Sequence, residues 1–456
     1  MTTLIANIRA RIPSADIFGV CQNPEDTLQR HGIRALPINA SAIGGHPEKP
    51  WDPEAVEKGR LKNAQTYGTS RIREYFKRFP LLVTMVKGLR RKREHWASIF
   101  REIASIRHSY RDLKGTDVLI VAGSGPLIDN WGGAWAQPYT FYKWATLASL
   151  TGTQFICLSA GAGPIDRWLS RAFLKRGLQK TSYRSFRDQS SAKLIASLGV
   201  KGEHPVHPDM GFGLDVGPLI RPWRPPFAEQ CRAIVGLGVM AWLDPRYMPQ
   251  SDPRGFAAYI RKMAGFAAWL LRNNYGIVAV HSDIRFDPQA FADVRDLLRR
   301  EHNIDYENQL FDRPTEGLSA LTSRVSACDF VVATRFHGVI LPWLLNKPVV
   351  GIAYNQKTVD LMNSMGQGAF CVDYVRFEVE DLADRFRAME SDRDAIQTEL
   401  TERVAERRIQ LSDQYDHILR PFAGKSTSRI SGELDKSADG GLPKNRVHFE
   451  CDRTAG

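Results

Sequence analysis

Short apolar runs alternate with stretches of helical spacing along most of the chain. Residues 4–12 carry apolar side chains at helical spacing, and Ala15-Asp-Ile-Phe-Gly-Val-Cys21 reads as a strand. Asn23-Pro-Glu-Asp has turn chemistry ahead of a loop and a further strand. Val118-Leu-Ile-Val-Ala122 is apolar throughout, the pattern of a parallel strand covered on both faces. A helix over residues 139–151 leads into a second such strand, Gln154-Phe-Ile-Cys-Leu-Ser159, which ends in Ala160-Gly-Ala-Gly-Pro164. Ser185-Phe-Arg-Asp188 has the length of a short strand and turn, and residues 190–198 form a helix closed by Gly199.

Four prolines within residues 217–226 mark a linker, after which the alternation restarts. Ala233-Ile-Val-Gly-Leu-Gly-Val239 is a strand, residues 254–273 a long helix, and Gly276-Ile-Val-Ala-Val-His281 another strand. Asp329-Phe-Val-Val-Ala333 and Pro348-Val-Val-Gly-Ile-Ala353 are two more, and one last helix runs over residues 379–411. Alternation of this kind predicts an α/β protein with doubly wound parallel sheets. The reading is two Rossmann-like domains facing across a cleft: 1–216 with a basic helical insertion at about 58–114, a linker at 217–230, and 231–422 as the donor-binding domain. Gly, Ser, Lys and Asp dominate residues 423–456, which predicts a disordered tail.

Composition changes this picture mainly through charge. The 456 residues are 43% hydrophobic and carry a formal net charge of +12. Residues 58–114 hold sixteen Lys+Arg against four acids, an excess equal to that whole net charge. With Trp96, Ile99, Phe100, Ile103 and Ile106 at helical spacing, this stretch reads as a surface for anionic lipid or an anionic ligand, or as a solvated insertion with no partner. No nucleic-acid-binding motif accompanies the charge. No apolar run approaches the ~18 residues of a membrane span, and no signal peptide opens the chain. Six scattered cysteines without Cys-x-x-Cys spacing argue against zinc modules and disulfides, so a cytoplasmic location is expected, with a peripheral position at the inner membrane face left open.

In open α/β sheets ligands bind beyond the carboxyl ends of the strands. Ala333-Thr-Arg335-Phe-His337-Gly338 places an Arg and a His where a buried strand turns into an apolar helix. The helix N-terminus favours an anion, Arg335 can hold carboxylate or phosphate by two points, and His337 can move a proton near neutral pH. Gly123-Ser-Gly125 and Gly161-Ala-Gly163 permit close backbone approach to a ligand, or are simply tight turns. Arg187 would point at the cleft if its strand is central, while Asp188 or Ser190 caps the next helix. Asp209, in His207-Pro-Asp209, could orient a substrate hydroxyl or close a turn. Nucleotide-triphosphate loops, Gly-x-Ser-x-Gly elbows and metal-ligand spacings are absent from the sequence, so no metal is expected.

Taken together, Thr334-Arg-Phe-His-Gly338, Asn346-Lys-Pro-Val-Val-Gly-Ile-Ala-Tyr-Asn355 with Lys357, Gly123-Ser-Gly-Pro-Leu127, Gly161-Ala-Gly-Pro-Ile165, Phe186-Arg-Asp188 and His207-Pro-Asp209 resemble the polysaccharide pyruvyl transferase family. The resemblance implies a GT-B-like fold and transfer of pyruvate from phosphoenolpyruvate to a sugar hydroxyl, giving a pyruvate ketal on a polysaccharide or lipid-linked glycan, with no cofactor beyond the donor. It assigns Arg187 and Arg335 to a clamp on the donor and His337 beside the reacting carbon. Asp209 joins His337 as a catalytic residue, and Gly338, Gly123, Gly125, Gly161, Gly163, Asn355 and Lys357 join the substrate-binding set. It also implies a strand and an Asn-x-Gly-Asp-like turn before the first helix, and Met1 lies almost at that helix. Two other readings remain at this point: a GT-B glycosyltransferase using a nucleotide sugar, and a non-catalytic membrane-associated scaffold.

Overall fold

A computed structural model describes residues 1–39, 100–123, 125–130, 132–247, 251–304, 306 and 308–423, and the backbone of 446–451. Most of the basic stretch, residues 58–99, therefore lies outside the described residues, while 100–113 is helical. The strands are β1 (Asp16–Cys21), β2 (Arg34–Pro37), β3 (Thr116–Ala122), β4 (Gln154–Ala160), β5 (Tyr183–Phe186), β6 (Ala233–Gly238), β7 (Tyr275–Ala279), β8 (Leu310–Phe311), β9 (Phe330–Ala333), β10 (Val349–Ala353), β11 (Cys371–Asp373) and β12 (Arg446–Cys451). They form two six-stranded sheets, ordered β2-β1-β12-β3-β4-β5 and β11-β10-β9-β6-β7-β8. Every pairing is parallel. The two halves meet at a cleft lined by residues of both.

The apolar runs become the central strands because helices cover both faces. Val118, Leu119, Ile120 and Val121 are all buried although they point alternately to opposite sides. One face of the first sheet packs against the helices Gln137–Thr151 and Trp168–Leu178 through Leu119, Val121, Phe141, Trp144 and Leu174. The other face, with Val118 and Ile120, joins a larger core that also contains Leu4 and Ile8 of the helix Thr2–Arg11 and runs on into the second half.

Three expectations are corrected. Asn23-Pro-Glu-Asp is not a free turn: the Asn23 side chain accepts from the Asp26 amide at 3.1 Å and caps the helix Pro24–His31, with Pro24 at its first position. The last helix is two helices, Val379–Ser391 and Arg393–Ala423, separated at Asp392. Ser and Asp compete for backbone hydrogen bonds and favour a break there. The tail is not wholly without structure: residues 446–451 form β12, between β1 and β3. That slot is the one from which a doubly wound sheet winds outward in both directions, so the first sheet is not left short of its central strand.

The helix Arg393–Ala423 is 31 residues long, roughly 46 Å at 1.5 Å per residue, and it ties the halves together. Ile396, Leu400 and Val404 are buried in its first part. Further on, Asp416 receives Arg11 Nε at 2.6 Å, and Gln414 donates to Ser185 Oγ at 2.8 Å while accepting from Ser159 Oγ at 3.1 Å. Among the described residues no helix is long and apolar enough to cross a membrane.

Candidate functional site

At the carboxyl ends of the strands a cavity of about 190 Å³ opens between the halves. The first half contributes Arg187, Asp188, His207 and Asp209, the second Phe336, Lys357 and Asp360, and the long connecting helix Arg407. Three cations from three separate elements thus converge on one small space.

Arg187 follows β5 directly, and its side chain is only 7% exposed. Its Nη1 donates to Asp209 Oδ2 at 3.1 Å, and its guanidinium lies 4.1 Å from the centre of the Phe336 ring across the cleft. Arg187 Nε and Asp188 Oδ2, 3.7 Å apart, have no hydrogen-bond partner among the described residues. Arg187 lines the cavity wall with a guanidinium already held by Asp209 and, less closely, by Asp188. Asp188 uses its other oxygen structurally, accepting from the Ser191 amide at 2.6 Å and from Ser190 at 2.7 Å to cap the helix Gln189–Ser197.

Asp209 joins the two halves electrostatically. One oxygen takes Arg187; the other accepts from the Gly211 amide at 2.8 Å and faces His337 Nε2 at 3.6 Å. Burial alone would raise the Asp209 carboxyl, but His337, Arg187 and the Gly211 amide outweigh it and hold it well below the usual carboxylate range. The imidazole of His337 is about one-third exposed.

Lys357 lies in the first turn of the helix Gln356–Ser364 and donates to the Gly163 carbonyl at 2.8 Å, a second bridge between the halves. Burial, reinforced by the like charge of Arg187 and opposed by Asp188, brings the ammonium down to about 8. Arg407 holds the Ser364 carbonyl at 2.7 Å.

Other residues singled out by sequence are placed differently. Arg335 stands where β9 turns into the helix Phe336–Leu344, but its Nε and Nη2 bind Asp287 at 2.8–2.9 Å and Nη2 lies 3.5 Å from Asp283. Burial would lower the guanidinium; these carboxylates more than offset it, and it stays charged. Arg335, expected to clamp the donor, is thus paired with internal carboxylates and is not among the residues that line the cavity. Asn355 spends its side chain accepting from the Thr358 amide at 3.1 Å as a helix cap. At Gly338, a Cβ would meet Ser282 Oγ at 2.9 Å, a packing constraint.

The glycine-rich turns are stitched to each other, since Gly163 donates to the Leu127 carbonyl at 2.8 Å and Asp129 accepts from the Asp166 and Arg167 amides. Gly123 takes a left-handed φ of 51°, and a Cβ there would lie 2.6 Å from Met210. Gly161 is buried at the end of β4, whereas a Cβ on Gly125 would meet nothing within 4 Å. Sequence reasoning missed Arg407, whose helix carries no motif, and Phe336, which reads there only as the spacer between Arg335 and His337. Among the described residues no group of His, Cys, Asp and Glu side chains could hold a metal ion.

Comparison with known proteins adds a family. Solved structures with a similar fold include Anabaena HepE in complex with UDP (12% identity, 73% of this chain and 82% of that chain, TM-score 0.44). The trehalose 6-phosphate synthase of Burkholderia multivorans (12%, 77% and 79%, 0.45) is another. A third is the UDP-GlcNAc 2-epimerase of Neisseria meningitidis bound to UDP-GlcNAc (12%, 74% and 80%, 0.42). No curated protein matches. The profile of the polysaccharide pyruvyl transferases matches residues 5–356, most of the chain, and the protein belongs to that family.

Proposed function

We propose that the protein transfers pyruvate from phosphoenolpyruvate to two hydroxyls of a saccharide, free or lipid-linked, forming a pyruvate ketal and releasing phosphate. The observation that carries this reading is the convergence of Arg187, Lys357 and Arg407 on one small cavity beside the Asp209–His337 contact. Phosphoenolpyruvate is compact and bears a carboxylate and a phosphate, so it needs cations at both ends.

The residues present suit the following chemistry. His337 does not itself line the cavity, but its Nε2 lies 3.6 Å from Asp209, which does, and we assign the proton transfers to its Nδ1. As imidazolium, His337 delivers the Nδ1 proton to the methylene carbon of the donor, and positive charge develops at C2. The first sugar hydroxyl attacks C2 and returns its proton to Nδ1. The C2–phosphate bond then breaks, and the second hydroxyl closes the ketal while its proton leaves with phosphate. Incubation with phosphoenolpyruvate and a glycan acceptor should give pyruvate ketal and phosphate in equal amounts by mass spectrometry and phosphate assay. Release of a nucleotide from a nucleotide sugar, without phosphate from phosphoenolpyruvate, would overturn the reading.

Lys357 gives this site a pH dependence. Its ammonium loses its charge as pH rises through about 8, so affinity for phosphoenolpyruvate should fall between about pH 7 and about pH 9. Lys357→Met should bind more weakly at neutral pH and lose that limb, as read by calorimetry across the range. For stability the sign is separate. The folded value lies below the ordinary 10.5, so the group's contribution is present above the ordinary value and is lost as pH falls toward about 8.

A further inference from the structure

The first half exposes several large apolar side chains that the transfer chemistry does not use. Trp168 is 77% exposed, Trp135 68% and Phe100 67%. They sit on neighbouring elements. Glu102, in the helical stretch 100–113, accepts from Tyr139 at 3.2 Å and from Lys143 at 3.0 Å. The Tyr139 ring lies 5.5 Å from Trp135 and 5.8 Å from Phe173, and Trp135 meets Phe173 edge-on at 5.5 Å. Phe173 and Trp168 belong to one helix, whose preceding Arg167 lies against Gly133 in the Trp135 turn.

We propose that this face docks on an anionic membrane surface, with Trp135, Trp168 and Phe100 entering the headgroup layer and the flanking arginines meeting its charge. Exposed tryptophans have an apolar ring and a polar N–H, the combination favoured at a membrane–water boundary. Arg107, Arg111, Arg167 and Arg171 are exposed on the same elements. Glu102 adds little free negative charge, being shared by Tyr139 and Lys143. Residues 58–99, which lead in sequence straight into this helix, carry twelve Lys+Arg against two acids. Charge complementarity of this size favours an anionic lipid surface over a neutral saccharide, for which the tryptophans would suffice without the arginines. The inference is independent of the transfer reaction, and its test needs no phosphoenolpyruvate.

The test is co-sedimentation of the full chain with phosphatidylcholine vesicles with and without phosphatidylglycerol. Native protein should bind only the anionic vesicles and be released by high salt. The double variant Trp135→Ser/Trp168→Ser should lose at least about tenfold in partitioning while unfolding at an unchanged temperature, because both rings are largely in water. Arg107→Glu/Arg111→Glu, which leaves the aromatic packing intact, should lose binding as well. Native protein that ignores anionic vesicles, or variants that bind like the native chain, would overturn the proposal. So would tryptophan fluorescence that shifts with soluble lactose or cellobiose but not with vesicles.

Discussion

Replacing His337 with alanine should lower kcat about 10²–10⁴-fold, the usual contribution of general acid–base catalysis, while phosphoenolpyruvate binds almost as before. The imidazole is partly exposed and touches Asp209 at its Nε2, so its loss opens no large void and the fold should survive. Asp209 keeps its contacts to Arg187 and the Gly211 amide in such a variant. Steady-state kinetics on the purified variant, with calorimetry for the donor, separate the two effects: kcat falls and the donor's dissociation constant holds. Near-normal turnover in His337→Ala would remove this side chain from the proton transfers.

Arg335→Ala should behave in the opposite way, losing stability before it loses donor affinity. Its guanidinium binds Asp287 through Nε and Nη2, and Asp287 is 1% exposed. Removing one partner of a buried pair leaves an uncompensated charge and typically costs about 3–5 kcal/mol. Denaturant unfolding should show a loss of that order. Arg335→Met combined with Asp287→Leu should recover part of it, since the fully buried carboxylate is then removed together with its cation. An alanine variant that unfolds like the native chain but no longer binds phosphoenolpyruvate would return Arg335 to the donor site.

The strands legible in the sequence are those with unbroken apolar runs, because burial on both faces removes every polar position from them. Residues 118–121, 155–158 and 349–353 are of this type. β12 carries no such mark. Arg446-Val-His-Phe-Glu-Cys451 alternates polar and apolar residues inside a Gly-, Lys- and Asp-rich tail, the pattern of a half-exposed strand or of none. The strand-to-helix switch at Arg335 was legible as well, since β9 is wholly apolar and Gly338 follows.

What the switch residue does was not legible. Asp287 lies 48 positions away, and nothing in local spacing shows that the carboxylates at 283 and 287 close on this arginine. Arg187 and Arg335 look alike in sequence, each following a short strand. Each ends up beside two carboxylates, Asp287 and Asp283 for Arg335 and Asp209 and Asp188 for Arg187, and the fold separates them by bringing only Arg187 to the cavity wall. Arg407 was hidden for a different reason. A basic residue on a charged helix is ordinarily solvated, and only the way this helix crosses both halves brings it to the cleft.

The central claim is that the cleft grips a small doubly charged donor through Arg187 rather than through Arg335. Calorimetric titration of phosphoenolpyruvate into the native chain, Arg187→Ala and a folded Arg335→Met/Asp287→Leu variant tests it directly. Loss of a buried charge-assisted contact costs about 2–5 kcal/mol, so affinity should drop by more than about thirtyfold in Arg187→Ala and change little in the double variant. Equal affinity in the native chain and Arg187→Ala, or loss of binding confined to the variant at position 335, would contradict the account.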